Sequence, residues 1–166
     1  MRFRRASLAL AVLAVVGLGV AGTASSAGTQ PVTATTAGAM PSTTTCTDPV
    51  QKGNVTFVHC TNGQETWSGD ITGHGTYSYD RVKNLTTGAR NVINGVETIT
   101  NASIRGTGVG TLYSRWNEND LPAGSSAPDT FHIQQSFQGG TGSFTNAHGS
   151  IRFNTDLNAY VGQLGF

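Results

Sequence analysis

The sequence has few charged residues and no run of basic residues. Only 11% of its 166 residues are Asp, Glu, Lys or Arg, against a typical ~25%, and the formal net charge is +1. Binding along a nucleic-acid backbone requires clustered Lys and Arg, so no nucleic-acid partner is expected. Long apolar runs are also missing. The longest, residues 8–20, is shorter than the ~20 residues of a spanning helix, so no membrane span is expected.

Cysteine is equally scarce, since Cys46 and Cys60 are the only two in the chain. They lack a neighbouring histidine pattern for zinc, and their spacing differs from that of a redox pair. In an exported protein such a pair is expected to form a disulfide. The bridge would close a loop of about 15 residues and stabilise the fold by on the order of 3 kcal/mol.

The amino terminus has the pattern of a secretory signal peptide. Arg2, Arg4 and Arg5 precede the apolar run, and small residues follow it, with Ala24 or Ala27 as cleavage positions. This order of basic, apolar and small residues is typical of export signals. We therefore interpret residues 1–27 as a signal peptide and predict a secreted, extracellular protein; a membrane anchor is the alternative, which the short apolar run disfavours.

Residues 28–45 have no charge, no aromatic side chain and no periodicity. Such a segment buries too little apolar surface to offset its ordering entropy, which predicts a flexible linker. A loosely attached first strand is the alternative. The remaining residues, 46–166, have the length of one ordinary domain.

Helical periodicity is nearly absent from this domain, and strand patterns recur. Residues 54–60 alternate, and Asn62-Gly63 then predicts a hairpin turn. Residues 65–80 form either one long bent strand or two short ones. Further strands are expected at 89–101, 106–117 and 130–137. At the carboxyl terminus a strand is favoured over a helix, because Gly162 inside so short a helix costs about 1 kcal/mol relative to alanine.

Seven or eight strands with closely spaced turns predict an all-β protein. Several strands carry bulky or apolar groups on both faces, which favours a filled or ligand-lined interior. We expect a closed antiparallel β-barrel of about eight strands, with a β-sandwich as the alternative.

The segment 137–153 combines glycine with aromatic residues. Gly139 and Gly140 predict a sharp turn after the strand that ends near Phe137, and Phe144 is expected to enter the core. No lysine follows the glycines and no helix start is visible, so a phosphate-binding loop is not predicted.

The same segment resembles a signature of the allene-oxide-cyclase-like barrels, which include dirigent proteins. Gly139, Gly140, Thr141, Gly142, Phe144, Ala147 and Gly149 are the matching positions. The resemblance implies an eight-stranded antiparallel barrel that needs no cofactor, acts on or binds an apolar molecule in its interior, and can form oligomers. It carries no catalytic residue across to this chain.

Two ionisable residues within strand regions are candidate catalytic groups. Glu97 shares a strand face with Ile93 and Ile99, where a desolvated carboxyl group would suit proton transfer. The alternative is that the opposite face, with Val92 and Val96, is the core face. Arg115, if it points inward, would bind an anionic group; the alternative is a solvated cross-strand partner.

Aromatic residues on the predicted strands are the candidate ligand-binding residues: Tyr77, Tyr113, Trp116 and Phe137. The four histidines, at positions 59, 74, 132 and 148, lack the spacing of metal ligands, so no metal site is predicted. His132 is expected on the outer face, because it alternates with Phe131 and Ile133.

Three functions remain open. The leading hypothesis is a module that binds a small, largely apolar molecule in the barrel. The second is a cofactor-free cyclase or isomerase that uses Glu97 or Arg115. The third is a cell-surface interaction protein with a solid barrel. A wholly apolar cavity would favour binding, a cavity with a buried ionisable group would favour an enzyme, and no cavity would favour the third.

Overall fold

The computed structural model describes residues 28–37, 44–120 and 131–166, and this part of the chain is all β-structure without helix. The interpretations of residues 1–27 as a signal peptide and of residues 38–43 as linker lie outside the described residues. The ten strands are β1 Gln30–Ala37, β2 Thr45–Cys46, β3 Val50–Lys52, β4 Val55–Gly69, β5 Ile71–Asn84, β6 Arg90–Ile104, β7 Thr107–Asp120, β8 Phe131–Gly142, β9 His148–Asn154 and β10 Ala159–Gly165.

Eight of these strands form a closed antiparallel ring. The order is β1-β10-β9-β8-β7-β6-β5-β4, and β1 also pairs with β4. The strands are not spread evenly around one axis, so the cross-section lies between a round barrel and a sandwich. The predicted all-β fold is therefore confirmed, and we refer to the ring as the barrel.

β1 corrects the interpretation of residues 28–45 as a linker. Residues 30–34 pair with β10 and residues 34–37 pair with β4, so this strand closes the ring. Val32 and Ala34 are 3% and 1% exposed. The small, weakly apolar side chains that suggested a tether alternate inward and outward, and they fit a narrow seam between two strands. The described structure thus supports the alternative of a first strand.

The hairpin turn predicted at Asn62-Gly63 is wrong. β4 continues through these residues by a bulge between Cys60 and Gly63, where Asn62 has a φ of 61°. A left-handed asparagine suits a bulge as well as a turn. The chain instead reverses at Gly69 and Asp70, between β4 and β5, so residues 65–80 belong to two strands.

The sharp turn predicted at Gly139 and Gly140 also lies elsewhere. β8 continues to Gly142, and the chain turns over the next residues. A side chain on Gly140 would collide with the backbone oxygen of Thr111 on β7, so this glycine allows close strand approach. Phe144 is fully buried, as predicted, and the carboxyl-terminal strand is confirmed as β10.

The cysteine prediction is confirmed, because Cys46 and Cys60 form a disulfide. The bridge joins β2 to β4, and these two residues are also register partners in the sheet. It therefore holds β2 against residues 60–61 of β4, whereas β1 pairs with residues 66–69 of the same strand.

One end of the barrel is filled by apolar side chains. We call it the closed end; it carries the reversals at Gly69-Asp70 and at Arg105-Gly106. Its fully buried residues include Ile71, Ile99, Leu112, Phe144 and Leu164. The opposite end, which carries residues 155–158 between β9 and β10, we call the open end. In the described residues, no helix is long and apolar enough to cross a membrane.

Candidate functional site

A cavity of about 230 Å³ lies in the barrel between the apolar core and the open end. Its walls come from every strand of the ring, so its shape depends on closure of the whole barrel. The lining residues are Thr36, Glu65, Tyr77, Glu97, Trp116, Glu118, Ile133, Gln135, Phe153, Asn158 and Tyr160. This cavity is at odds with the solid interior that the interaction hypothesis requires.

Glu97 lies at the inner wall of the cavity and is only 5% exposed. The indole Nε1 of Trp67 donates a hydrogen bond of 2.7 Å to its Oε1. The amide Nε2 of Gln135 donates to its Oε2 at 2.5 Å. Both oxygens therefore accept a hydrogen bond from a buried donor, which fixes the orientation of the carboxyl group.

Gln135 is itself held in place. Its Nε2 carries two hydrogens, and the second is donated to Oγ of Ser114 at 2.7 Å. Gln135 and Ser114 are 2% and 4% exposed. A buried, fully paired network of this kind rigidifies the side chains within it, so Glu97 is presented to the cavity in one conformation.

Glu65 and Glu97 form a hydrogen-bonded carboxyl pair. A carboxylate only accepts hydrogen bonds, so one member must carry a proton. Burial, followed by the neighbouring charge of Glu65, raises the pKa of Glu97 well above its usual range. Burial also raises the pKa of Glu65, but hydrogen bonds to Glu97, Thr36 and Trp67 oppose this. Both pKa values are raised, and that of Glu97 is raised further, so the pair favours holding one proton between its two carboxyl groups.

Aromatic rings surround this pair. The rings of Trp67 and Tyr160 are 5.1 Å apart, and those of Tyr77 and Trp116 are 6.1 Å apart with an edge-to-face geometry. Burial raises the pKa of both tyrosines, and the nearby glutamates add to this shift. Both phenols are therefore neutral at physiological pH and can donate a hydrogen bond.

A bulge in β6 explains why Glu97 points inward. The register shifts between Val92 and Gly95, and Asn94 has a φ of 55°. Val92 is buried on one side of the bulge and Glu97 on the other, whereas Ile93 is 39% exposed. The sequence suggested two possible inward faces, one with Glu97 and one with Val92. Neither is inward along the whole strand, because the bulge exchanges the inward and outward faces.

Two candidate residues do not reach the cavity. Arg115 is on the outer surface, where its Nε donates to Oε1 of Gln138 at 3.1 Å, and Tyr113 is 42% exposed. Leu112 and Ser114 are buried on the same strand, and Trp116 lines the cavity. The alternation of β7 therefore turns Arg115 and Tyr113 outward. Of the two alternatives for Arg115, the structure agrees with the solvated cross-strand partner and not with an inward anion-binding group.

The other candidates are placed inside the barrel. Tyr77 and Trp116 line the cavity. Phe137 is 4% exposed but belongs to the apolar core below it, so it supports the cavity without lining it. His132 is exposed, as expected from its alternation with Ile133. Within the described residues, no group of three His, Cys, Asp or Glu side chains is arranged to hold a metal ion.

Sequence reasoning missed Glu65, Gln135 and Tyr160. Each follows the two-residue period of a strand with inward neighbours. These are Trp67 for Glu65, Ile133 and Phe137 for Gln135, and Leu164 for Tyr160. A polar residue between large inward apolar residues was the available signal. It was not decisive, because the bulges obscure which face of each strand is inward.

Comparison with known proteins adds no family assignment. The chain matches none of the protein-family models, curated proteins or solved structures with which it was compared.

Proposed function

We propose that this protein binds a small, largely apolar molecule in the cavity at the open end of the barrel. The observation that carries the proposal is the cavity itself, in which four aromatic residues and Ile133 stand beside six polar residues. Binding sites for small molecules typically combine apolar walls with polar groups. An eight-stranded barrel has an interior wide enough for one small ligand. One of the polar residues is the buried Glu97, and by the criterion set out from the sequence a buried ionisable group favours an enzyme, which is the second candidate below.

We also propose that it acts outside the cell, as the amino-terminal pattern predicts. The Cys46–Cys60 disulfide is consistent with an oxidising compartment.

Native mass spectrometry of protein purified from its own source, without detergent, tests the binding function. We expect a retained small molecule in the wild-type protein. Ile133→Trp places a large ring in the cavity and should abolish retention. His132→Trp is the matched control, because it adds the same ring at the neighbouring, outward-facing position and should leave retention intact. Equal retention by the two variants would contradict binding in the cavity.

The carboxyl pair favours a second candidate, a cofactor-free isomerase or cyclase. With one proton between its two carboxyl groups, the pair offers a proton acceptor and a proton donor in the same buried site. In an isomerisation, Glu65 would take a proton from one atom of the substrate while Glu97 gives its proton to another. Transfer of a proton from Glu65 back to Glu97 then restores the pair, so no external acid, base or redox partner is consumed.

Hydrogen exchange into the retained molecule distinguishes the enzyme from a simple binder. We expect the wild-type protein in D₂O to incorporate deuterium at a carbon of its ligand, and Glu65→Gln and Glu97→Gln to abolish this. Arg115→Gln, on the outer surface of the barrel, should retain exchange. Exchange that persists in both pair variants would rule out the proposed proton transfer.

A further inference from the structure

The charges around the cavity point to one class of ligand. Three carboxyl groups line it, contributed by Glu65 of β4, Glu97 of β6 and Glu118 of β7. Among its described lining residues none is Lys, Arg or His. The described lining is therefore acidic at the Glu65–Glu97 pair, which disfavours an anionic ligand and favours a positive one.

The rings of the cavity are suited to the same kind of group. Tyr77, Trp116, Phe153 and Tyr160 all line it, and Tyr79 packs against Trp116 with ring centroids 5.5 Å apart. The face of an aromatic ring attracts an organic cation, and the attraction is stronger at desolvated sites. Carboxylates and ring faces both attract a positive charge, so a site that combines them should bind an ammonium group more tightly than a neutral hydroxyl group.

We propose that the ligand of this cavity carries a protonated amine, held between the Glu65–Glu97 pair and the aromatic wall. The proposal rests on the binding function above and specifies its ligand. An apolar cavity of about 150 Å³ holds benzene, so the volume of about 230 Å³ accommodates an aromatic or alicyclic ring with a short aminoalkyl chain. Such a molecule is largely apolar, and its amine supplies the single charged group.

The carboxyl pair makes this recognition sensitive to pH. The ionisable groups that face it are Tyr77 of β5, Glu118 of β7 and Tyr160 of β10, while β1, β8 and β9 contribute Thr36, Ile133, Gln135 and Phe153. No group in this set is cationic, so the pair reduces its own repulsion by holding a shared proton. An ammonium ion that binds there replaces that proton, and binding should release it to solvent.

Isothermal titration with three matched probes tests the proposal: 2-phenylethylamine, 2-phenylethanol and phenylacetate, all at pH 7.5. We expect the amine to bind at least tenfold more tightly than the alcohol, and phenylacetate to bind most weakly. Titration in two buffers of different ionisation enthalpy should show proton release with the amine only. Amine affinity should fall as the pH is lowered, because the shared proton then competes more strongly.

Variants separate the role of the charge from that of the fold. Glu65→Gln should weaken the amine at least tenfold and change the affinity for the alcohol less than twofold. Arg115→Gln, on the outer surface, is the control and should change neither. Equal or tighter binding of the alcohol overturns the amine inference while leaving the binding function intact. Failure of the amine to bind also overturns the amine inference. The binding function is then tested separately by native mass spectrometry, through the molecule retained by the wild type and lost from Ile133→Trp.

Discussion

Gly75 on β5 leaves the space that the carboxyl group of Glu97 occupies. A side chain built on Gly75 would overlap Oε1 of Glu97, and its Cβ would lie 2.9 Å from Cγ of Glu65 and 3.1 Å from Nε1 of Trp67. The missing side chain on one strand thus makes room for the carboxyl pair and its indole donor.

Gly75→Ala should therefore displace the carboxyl pair. Because all the atoms it meets belong to a buried hydrogen-bonded network, we expect destabilisation of about 1–3 kcal/mol, as for other overpacking substitutions, together with weaker ligand binding. Gly28→Ala is the control, because nothing lies within 4 Å of a Cβ at that position. Chemical denaturation of both variants gives the free energies, and similar values would show that the crowding at Gly75 is relieved without cost.

Glu97 should make the protein less stable as the pH rises. Its folded-state pKa is raised well above the ordinary value of 4.5, so the folded state binds its proton more tightly than the unfolded state. The stabilisation is full below about pH 4.5 and is lost as the pH rises through the folded pKa. Between these two pKa values the folded state binds one proton more than the unfolded state. The free energy of unfolding therefore falls by about 1.4 kcal/mol for each unit of pH increase.

Denaturation curves of the wild type and Glu97→Gln from pH 4.5 to 8 measure this contribution, which the variant should lose. Glu118→Gln should keep it. Asp70 and Asp80 act in a different window, because their hydrogen bonds lower their pKa values below 3.8. The same slope in the wild type and in Glu97→Gln would show that Glu97 is not the titrating group.

Glu97→Gln should also cost stability at low pH. A glutamine has one oxygen, whereas Glu97 accepts from both Trp67 and Gln135, so one buried donor would face an amide N–H. Loss of such a partner costs about 1–3 kcal/mol. Denaturation at pH 4.5 measures this cost, and a variant as stable as the wild type would show that the network adapts to a single acceptor.

Phe144→Ala should be among the most damaging single changes. The ring is fully buried and packs against Phe166 at a centroid distance of 5.4 Å. Truncation of a buried phenylalanine typically costs about 3–5 kcal/mol. Leu157→Ala removes an apolar side chain that is 62% exposed and should have little effect. A small change at Phe144, measured by denaturation, would contradict its place in the core.

Removing the Cys46–Cys60 bridge should lower the free energy of unfolding by about 3 kcal/mol, because it frees a loop of about 15 residues in the unfolded chain. Cys46→Ser/Cys60→Ser should reproduce the effect of a reductant on the wild type. The double variant is its own control, since reductant should not change its stability further. Equal stability with and without reductant would show that the bridge contributes nothing.

The sequence by itself determined the features that depend on neighbours along the chain. Two-residue alternation placed His132 outside the barrel, and Gly162 favoured a strand over a helix at the carboxyl terminus. The two cysteines allowed only one intramolecular disulfide. These inferences held because each needs only local geometry or a count of residues.

Only the tertiary structure decided the features that depend on distant pairing. β1 is a strand because Ala34 lies between β10 and β4, and its own composition does not reveal those partners. The bulges at Asn62 and Asn94 shift the register within β4 and β6, and one residue of shift exchanges the inward and outward faces. The meeting of Glu65 with Glu97 follows from the register of three neighbouring strands, β4, β5 and β6, in which Gly75 of β5 is the register partner of Glu65. Side chains far apart in the chain become neighbours there only when the strand between them has its final alignment.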